Sequence, residues 1–416
     1  MKKTILLFLW ISLCSQSIFA QFDCSDGRFD NTSYFPAFTL DEGVTYGENA
    51  QPTIFNPNNI QTLKMDIYEP DNDTASLRPL IIWAFGGAFV AGSRKSPDIV
   101  VLATTFAQSG YVCASIDYRL STNLILNGNP TNGYRAVFKA MEDMKAAIRF
   151  LRKDIIENGN PYRIHPDHIY VGGVSAGAFT ALHTAYLDEE SEIPAEIADE
   201  VANNGGLEGM SGTPGYSSEV NGVINLCGAL GDTTYMQMGD VPLVSMHGTE
   251  DETVPYGSDI IDLLNINLPV DGSASIHERG LNLGLNSEFY TWQNAGHTPF
   301  VSSPAYMDTT IRFVKDFMLD LVCDFNTVSV VEKSSSDWQL QVNPNPADEG
   351  FMVSMKNAPS GTRWTYELLN LNGQVLRQYQ SDDSNFYVAR ENLSAGLYLL
   401  SVRSAKEQVV RKVVFR

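Results

Sequence analysis

The fold of this chain is decided by residues 169–187, which read IYVGGVSAGAFTALHTAYL. The first part is a short apolar run typical of a buried strand, and the last part is typical of an apolar helix. Between them, Gly173-Val174-Ser175-Ala176-Gly177 matches G-x-S-x-G, a pattern whose glycines leave room for a serine on a strained strand-to-helix turn. The stretch therefore predicts a strand, a sharp turn that exposes the Ser175 hydroxyl at the edge of a sheet, and a helix.

Alternating strand and helix patterns extend from about residue 64 to residue 323. Short apolar runs predict strands at 63–68, 80–84, 112–118, 169–174, 222–226, 243–247 and 288–293. Longer periodic segments predict helices at 97–108, 133–158, 176–187 and 304–321. Such alternation is typical of a mostly parallel sheet flanked by helices, so we predict an α/β domain over residues 21–332.

One segment, residues 188–220, interrupts this alternation with a sequence rich in glycine, serine and acidic residues. Long insertions on a repetitive scaffold often serve as lids or substrate loops. The same composition also fits a passive excursion, so both interpretations stay open.

The N-terminal residues 1–20 have the pattern of an export signal. Lys2 and Lys3 precede an apolar run over residues 5–13, and Ala20 is a small residue suited to signal-peptidase cleavage before Gln21. The run is shorter than the roughly 20 apolar residues that a transmembrane helix needs. We therefore expect residues 1–20 to be removed during export.

Beyond residue 329 the pattern changes to short strands only. We predict a linker at 333–337 and a small β-sandwich at 338–416, with a hairpin turn at Asn372-Gly373. The composition, with 44% hydrophobic and 19% charged residues, is that of an ordinary globular protein. The net charge of −21 repels polyanions, so nucleic acid is not an expected partner.

The cysteines indicate which parts of the chain are buried and which can be linked. Cys113 and Cys227 lie in apolar runs and are predicted core thiols. Cys24 and Cys323 lie at the two ends of the larger domain, where a disulfide in an oxidising compartment would clamp its termini. The spacing alone does not fix this pairing.

A serine hydroxyl is a poor nucleophile at neutral pH, so Ser175 needs a histidine base that is oriented by a carboxylate. In this type of fold the three residues occur in the chain order Ser, Asp or Glu, His. The histidines after residue 20 are His165, His168, His183, His247, His277 and His297. The first three lie before the strand at 222–226 or on the helix after Ser175, and His247 ends a strand just before the candidate acid. Of the remaining two, His277 precedes the last predicted strand and His297 lies in the loop after it, so we predict His297 as the base. The acid lies among Glu250, Asp251 and Glu252, which follow the preceding strand.

Backbone N–H groups are expected to stabilise the negative oxygen that forms when Ser175 attacks a carbonyl group. One donor is predicted at Ala176, directly after the serine. The others are predicted in the loop that follows strand 80–84, where Gly86, Gly87 and Ala88 allow close approach of the backbone to a substrate.

Over about residues 60–322 the sequence resembles the carboxylesterase and hormone-sensitive-lipase-like branch of the α/β-hydrolases, which includes bacterial feruloyl and acetyl-xylan esterases. The resemblance rests on FGGAF at 85–89, AGS at 91–93, DYRL at 117–120, the Ser175 motif, HGTED at 247–251 and AGH at 295–297. It implies an α/β-hydrolase fold, and the pattern H-G-T-x-D-x-x-V-P implies Asp251 as the acid. The family usually has histidine where this chain has Phe85, which makes the subfamily and substrate less specific.

The C-terminal part resembles the type A sorting domain of the type IX secretion system. The resemblance rests on VNPNPA at 342–347, LNLNGQVL at 369–376, LSAGLYLLSV at 393–402 and KVVFR at 412–416. It implies passage through the periplasm and across the outer membrane by the type IX machinery, with the domain then cleaved off.

These features predict a secreted serine hydrolase that acts on carboxylic esters, either small acyl esters or esters on polysaccharide, through an acyl-Ser175 intermediate. A serine peptidase of the same fold, a polyester depolymerase and a non-enzymatic binding relative are the alternatives. Neither a cofactor nor a metal is expected, because the cysteines lack the spacing of metal ligands.

Overall fold

The computed structural model describes residues 22, 24–53, 56–121 and 123–323, and then 339–343, 347, 349–356, 362–369, 375–381, 383, 385–393, 396–404 and 408–415. The chain divides into two compact units, Met1–Cys323 and Asp324–Arg416. The predicted signal at 1–20, the linker at 333–337 and the Asn372-Gly373 turn lie outside the described residues.

The first unit is built on an eight-stranded sheet with a smaller three-stranded sheet beside it. Its strands are β1 (Phe38–Ala50), β2 (Ile60–Pro70), β3 (Arg78–Ala84), β4 (Val112–Ile116), β5 (Ile164–Val174), β6 (Val223–Leu226), β7 (Ala229–Leu230), β8 (Leu243–Gly248), β9 (Ser258–Ile261), β10 (Leu268–Gly272) and β11 (Ser287–Trp292). The large sheet has the order β1-β2-β4-β3-β5-β6-β8-β11, and the small antiparallel sheet has the order β7-β10-β9.

In the large sheet, β1 and β2 are antiparallel to their neighbours, and the strands from β4 to β11 pair in parallel. The sequence RPLIIWA of β3 is buried at every position, as expected for a central strand covered on both faces. The predicted mostly parallel sheet is therefore confirmed, with antiparallel strands added at one edge.

Seven helices accompany the strands: α1 (Pro97–Gln108), α2 (Asn123–Leu126), α3 (Pro130–Glu157), α4 (Ala176–Tyr186), α5 (Ala198–Asn203), α6 (Ser273–Leu283) and α7 (Pro304–Cys323), in the described part of the chain. The start of α3 shows how the sequence sets a helix boundary. Asn129 caps it by accepting a hydrogen bond from the Asn132 N–H at 2.9 Å, and Pro130 occupies the first helical position. No helix among the described residues is long and apolar enough to cross a membrane.

The sequence-based prediction missed β1 and the segment from β9 to α6. The strand β1 reads FTLDEGVTYGENA and is mostly exposed, so it lacks the apolar signal of a core strand. The segment β9 to α6 pairs mainly with itself, through β9 and β10, and its polar residues resemble those of a loop.

The insert at 188–220 is described, and it packs against α3. It contains short 3-10 turns at Glu190–Glu192 and Gly206–Glu208 in addition to α5. Arg149 of α3 donates to the carbonyl oxygens of Ser211 and Glu208 at 2.7 and 2.9 Å, and Asn204 donates to Glu142 at 2.7 Å. These buried and half-buried bonds tie the insert to the scaffold.

The second unit is an antiparallel β structure with a single apolar core. Its strands are β12 (Gln339–Asn343), β13 (Gly350–Lys356), β14 (Trp364–Leu369), β15 (Val375–Ser381), β16 (Asn385–Ala389), β17 (Gly396–Arg403) and β18 (Gln408–Phe415). They form one sheet of order β12-β13-β16 and another of order β15-β14-β17-β18. Because Phe351 and Val353 of the first sheet join Tyr366 and Val402 of the second in that core, the predicted β-sandwich is confirmed.

Candidate active site

Ser175 lies on the sharp turn between β5 and α4. Its backbone angles, φ 53° and ψ −118°, are unusual for a residue with a side chain and mark a strained turn. A Cβ at Gly173 would lie 2.2 Å from the Gly177 carbonyl carbon, and a Cβ at Gly177 would lie 2.1 Å from the Ala84 oxygen. Both flanking positions therefore require glycine, and the turn holds the Ser175 hydroxyl at the end of the parallel sheet.

The three side chains predicted as nucleophile, base and acid form one hydrogen-bonded chain. His297 Nε2 lies 2.8 Å from Ser175 Oγ, and His297 Nδ1 lies 2.6 Å from Asp251 Oδ2. Asp251 follows β8 and His297 follows β11, so both loops leave the sheet at the carboxyl ends of parallel strands, as Ser175 does after β5. This geometry allows His297 to remove the Ser175 proton while Asp251 orients the ring.

Asp251 differs from its acidic neighbours in burial and in its partners. Glu250 and Glu252 are exposed, whereas the Asp251 side chain is fully buried. Burial by itself raises the pKa of this carboxyl group, but hydrogen bonds from His247 and His297 and from the Val254 N–H outweigh it and hold the pKa well below its usual value. Asp251 is thus ionised throughout the pH range in which a histidine base works.

The predicted donors to a negatively charged oxygen surround Ser175. Ala176 begins α4, where a backbone N–H has no acceptor within the helix. Gly86, Gly87 and Ala88 line the same cavity as Ser175 and His297. Backbone amides at these positions are suited to binding a developing oxyanion.

Phe85, where the resembling family usually has histidine, supports this loop in another way. Its ring stacks on Tyr118 with centroids 4.2 Å apart and an interplanar angle of 12°. The Tyr118 hydroxyl donates to the Phe85 carbonyl oxygen at 2.8 Å. Because both groups are buried, the pair holds the glycine loop against the core without a histidine.

Two cavities meet at Ser175. One, of about 380 Å³, is also lined by Gly86, Asp98, Thr253, His297 and Thr298 and has a mixed polar character. The other, of about 50 Å³, is apolar and includes Ala88, Phe89, Leu124, Phe179, Val254, Ile261, Leu263, Ile266, Leu268 and Val270. Within the described part of the chain, neither cavity is lined by a residue of the insert 188–220.

The segment that covers the smaller cavity is instead 261–270, which sequence reasoning did not single out. Ile266 and Leu268 lie directly over α3, because a Cβ at Gly133 would be 2.6 Å from Ile266 Cγ2 and 2.5 Å from Leu268 Cδ1. The feature of the sequence that could have indicated this segment is its branched apolar residues, which occur without a strong periodicity.

His247 is a second histidine at the site that sequence reasoning set aside. Its Nε2 lies 3.1 Å from Asp251 Oδ2, and both side chains are fully buried. The feature of the sequence that could have indicated a role for His247 is its position at the end of β8, four residues before Asp251. His277, by contrast, contacts Ser287 Oγ at 2.8 Å and lines neither of the two cavities.

The cysteines divide into one linked pair and two buried thiols. Cys24 and Cys323 form a disulfide that closes a segment of 299 residues, and Cys113 and Cys227 are free and buried. The Cys227 sulfur lies within 4.8 Å of the nearest ligand-type atoms of Asp251 and His297, a separation that could hold a metal ion. Burial raises the pKa of the Cys227 thiol, which disfavours the thiolate that binds metals.

Comparison with known proteins identifies two families along the chain. Residues 65–229 match the model of the BD-FAE family, and residues 341–416 match that of the secretion system C-terminal sorting domain. The first matched segment lies within the larger unit, and the second lies within the smaller unit.

Among curated proteins, the chain is similar to a non-reducing polyketide synthase of Penicillium brevicompactum, with 31% identity over 160 residues. That alignment covers 38% of this chain and 6% of the synthase. It is also similar to the esterase LipC of Mycobacterium tuberculosis, with 27% identity over 135 residues, or 32% of this chain and 30% of that protein. The chain thus spans less than a third of the length of these relatives.

Among solved structures, the chain is similar to esterase 2 of Thermogutta terrifontis in its apo form, with a TM-score of 0.48 and 20% identity over 70% of this chain and 96% of that one. The same enzyme phosphorylated by paraoxon gives a TM-score of 0.48 and 21% identity, with the same coverage of each chain. On the two family matches, the larger unit of this protein carries a BD-FAE domain of the α/β-hydrolase esterase family, and its C-terminal unit is a secretion system C-terminal sorting domain.

Proposed function

We propose that this protein hydrolyses carboxylic esters through an acyl-Ser175 intermediate. The observation that carries the proposal is the continuous chain from Ser175 Oγ to His297 at 2.8 Å and from His297 to Asp251 at 2.6 Å, beside two cavities that meet at Ser175. The membership of residues 65–229 in an esterase family supports the same reaction class.

In the first half of the reaction, His297 Nε2 takes the Ser175 proton as Oγ bonds to the ester carbonyl carbon. The carbonyl oxygen becomes negative and is stabilised by N–H groups of the loop 86–88 and of Ala176. The bond to the alcohol oxygen then breaks, and His297 returns its proton to that oxygen. In the second half, water replaces the alcohol and releases the acid from Ser175.

The position of His297 supports a proposal for which cavity receives which part of an ester. The base must reach the leaving oxygen, so the alcohol occupies the cavity that His297 lines, of about 380 Å³. The acyl group then occupies the apolar cavity of about 50 Å³, which has room for only a few heavy atoms. We therefore expect short acyl groups, such as acetyl, to be preferred.

The chemistry of the alcohol cavity favours a hydroxylated partner. Besides His297 it carries hydrogen-bonding side chains at Ser96, Asp98, Thr253 and Thr298. Such groups bind the hydroxyl groups of a sugar. The cavity is large enough for a ring that carries more than one non-hydrogen substituent. An acyl ester on polysaccharide fits both cavities.

The test is hydrolysis of p-nitrophenyl esters from acetate to palmitate by the purified chain, alongside Ser175→Ala. We expect turnover that is fastest with short acyl chains and that is lost in the variant. Peptide p-nitroanilides, measured in parallel, report the peptidase alternative. A folded protein that cleaves the anilides and no ester would refute the esterase proposal.

We also infer that the protein is exported across both membranes. The sorting domain at 341–416 indicates type IX secretion to the cell surface or the outside. The Cys24–Cys323 disulfide is of a kind that persists in oxidising compartments, which supports passage through the periplasm. Deleting residues 338–416 should leave the hydrolase in the periplasm, and unchanged secretion of that variant would refute the inference.

A further inference from the structure

The carboxylate of Asp251 is held by two imidazole rings, and the contacts of the second ring determine which of its nitrogens carries the hydrogen. His247, fully buried at the end of β8, places its Nε2 3.1 Å from Asp251 Oδ2 and 3.1 Å from the Val254 carbonyl oxygen. Both neighbours only accept hydrogen bonds. Nε2 therefore carries a hydrogen and donates it towards the same carboxylate oxygen that accepts from His297.

The other nitrogen of His247 is fixed by Ser273. In the neutral ring, Nδ1 is an acceptor, and it lies 2.7 Å from Ser273 Oγ. The Ser273 hydroxyl hydrogen can point to Nδ1 or to the Gly228 carbonyl oxygen, which is 3.3 Å away. The shorter contact favours donation to His247, and this sets the ring in the tautomer that Asp251 requires.

Ser273 is in turn oriented by Asn225, the third member of this buried chain. The Asn225 side-chain amide donates to Ser273 Oγ at 3.0 Å, and its oxygen accepts from the Gly228 N–H at 2.9 Å. The side chains of Asn225, Ser273 and His247 all lack solvent exposure. A buried polar network in which every member has a partner is rigid, because breaking one bond leaves a desolvated group unpaired.

We propose that His247 is a positioning residue for ester hydrolysis, which holds and partly neutralises Asp251 through the chain Asn225–Ser273–His247. This role rests on the esterase function proposed above. His247 does not touch the substrate cavities, so it acts on the reaction only through Asp251 and thereby through His297.

Two consequences distinguish this role from simple packing. Removal of the Nε2 donor leaves the Asp251 carboxylate less well oriented, so kcat falls while KM changes little. Removal also leaves more negative charge on Oδ2, so the protonated form of His297 is stabilised and the acid limb of the pH profile moves to higher pH. Among the described residues, Asp251, the Cys227 thiol and Tyr256 are titratable groups near the two rings, and Asp98 lines the cavity that His297 also lines.

The experiment compares kcat and KM across pH for the full chain and for His247→Leu and His247→Gln. We expect His247→Leu to lower kcat by about 10- to 100-fold and to move the acid limb upward by roughly half to one pH unit. His247→Gln keeps an amide N–H that can reach Asp251 and should recover most of both changes. His277→Leu, which removes a different His–Ser contact, serves as the matched control and should change neither.

Ser273→Ala provides a second test of the positioning role if His247→Leu proves unstable. It removes only the hydroxyl that orients His247, and the acid limb should move in the same direction by a smaller amount. The titration of His297, followed by NMR in the Ser175→Ala background, gives the same shift without any turnover. A folded variant with an unmoved His297 titration would overturn the positioning role, whereas absent ester turnover with a moved titration would refute only the esterase function.

Discussion

Asp251 and His297 are 46 residues apart in sequence, and Asp251 Oδ2 accepts a hydrogen bond from His297 Nδ1 at 2.6 Å. The other oxygen of Asp251 accepts from the backbone N–H groups of Thr253 and Val254, each at 2.9 Å. The orientation of the carboxylate is therefore fixed by its own loop, independently of its contact with His297. That loop decides which of three consecutive acidic residues faces His297.

Replacement of Asp251 by asparagine tests this relationship. Asparagine keeps the shape of the side chain but removes the charge that stabilises the protonated His297, so we expect kcat to fall by about 10³- to 10⁴-fold. Glu250→Gln and Glu252→Gln are the matched controls, because these side chains are exposed neighbours. Ester hydrolysis by the three variants distinguishes them, and a comparable loss in either glutamate variant would contradict the assignment.

The apolar cavity predicts how the acyl preference can be changed. Leu268 closes the cavity against α3, so Leu268→Ala should lengthen it and raise the ratio of hexanoate to acetate kcat/KM by about tenfold. The measurement is the p-nitrophenyl ester series, with Leu281→Ala, an exposed leucine of α6, as the control. An unchanged chain-length profile in the folded variant would show that the acyl group binds elsewhere.

The disulfide predicts a large contribution to stability. Cys24–Cys323 joins residues 299 apart, and closing so long a loop restricts the unfolded chain, so Cys24→Ser should lower the free energy of unfolding by about 2 to 5 kcal/mol. Chemical denaturation provides the measurement. Reductant should bring the native protein to the level of the variant and leave the variant unchanged, since Cys113 and Cys227 are free thiols.

His183 predicts a loss of stability at acid pH. Burial lowers the pKa of this histidine to about 4 from 6.5, and its two nitrogens are engaged by the Phe179 oxygen and the Gly231 N–H. The unfolded state therefore takes up the proton first, so stability is lost as the pH falls from 6.5 towards 4. When the pH falls from about 7.5 to about 4.5, the free energy of unfolding of His183→Gln should decrease by roughly 2 kcal/mol less than that of the native protein. Equal losses in denaturation curves would contradict this.

Local sequence was sufficient for much of the fold and for the turn that carries Ser175. The Ser175 turn depends on glycines whose need for space is encoded within five residues, and α1 was predicted with its observed bounds, Pro97–Gln108. The central parallel strands are largely buried and contain short apolar runs, so the length and composition of those runs are informative. The exposed edge strand β1 carries no such pattern and was missed.

Other parts of the site depend on three-dimensional contacts that spacing does not record. Three adjacent acidic residues give the same local signal, so the sequence singles out Asp251 only by family resemblance, whereas in the structure the backbone donors and burial distinguish it. The composition of the insert 188–220 fits either a lid or a passive excursion. In the structure the insert packs on α3, and the segment 261–270 lines the apolar cavity at Ser175. The role of His247 likewise arises from Ser273, which belongs to a helix that the periodicity did not predict.

The most direct measurement is the capture of the covalent intermediate. The purified chain is mixed with p-nitrophenyl acetate, quenched with acid during the burst, digested and mapped by mass spectrometry. We predict one acetyl group on Ser175 in the native protein and none in Ser175→Ala. Ester turnover without acetylation of Ser175, or turnover that survives in Ser175→Ala, would contradict nucleophilic catalysis by this serine.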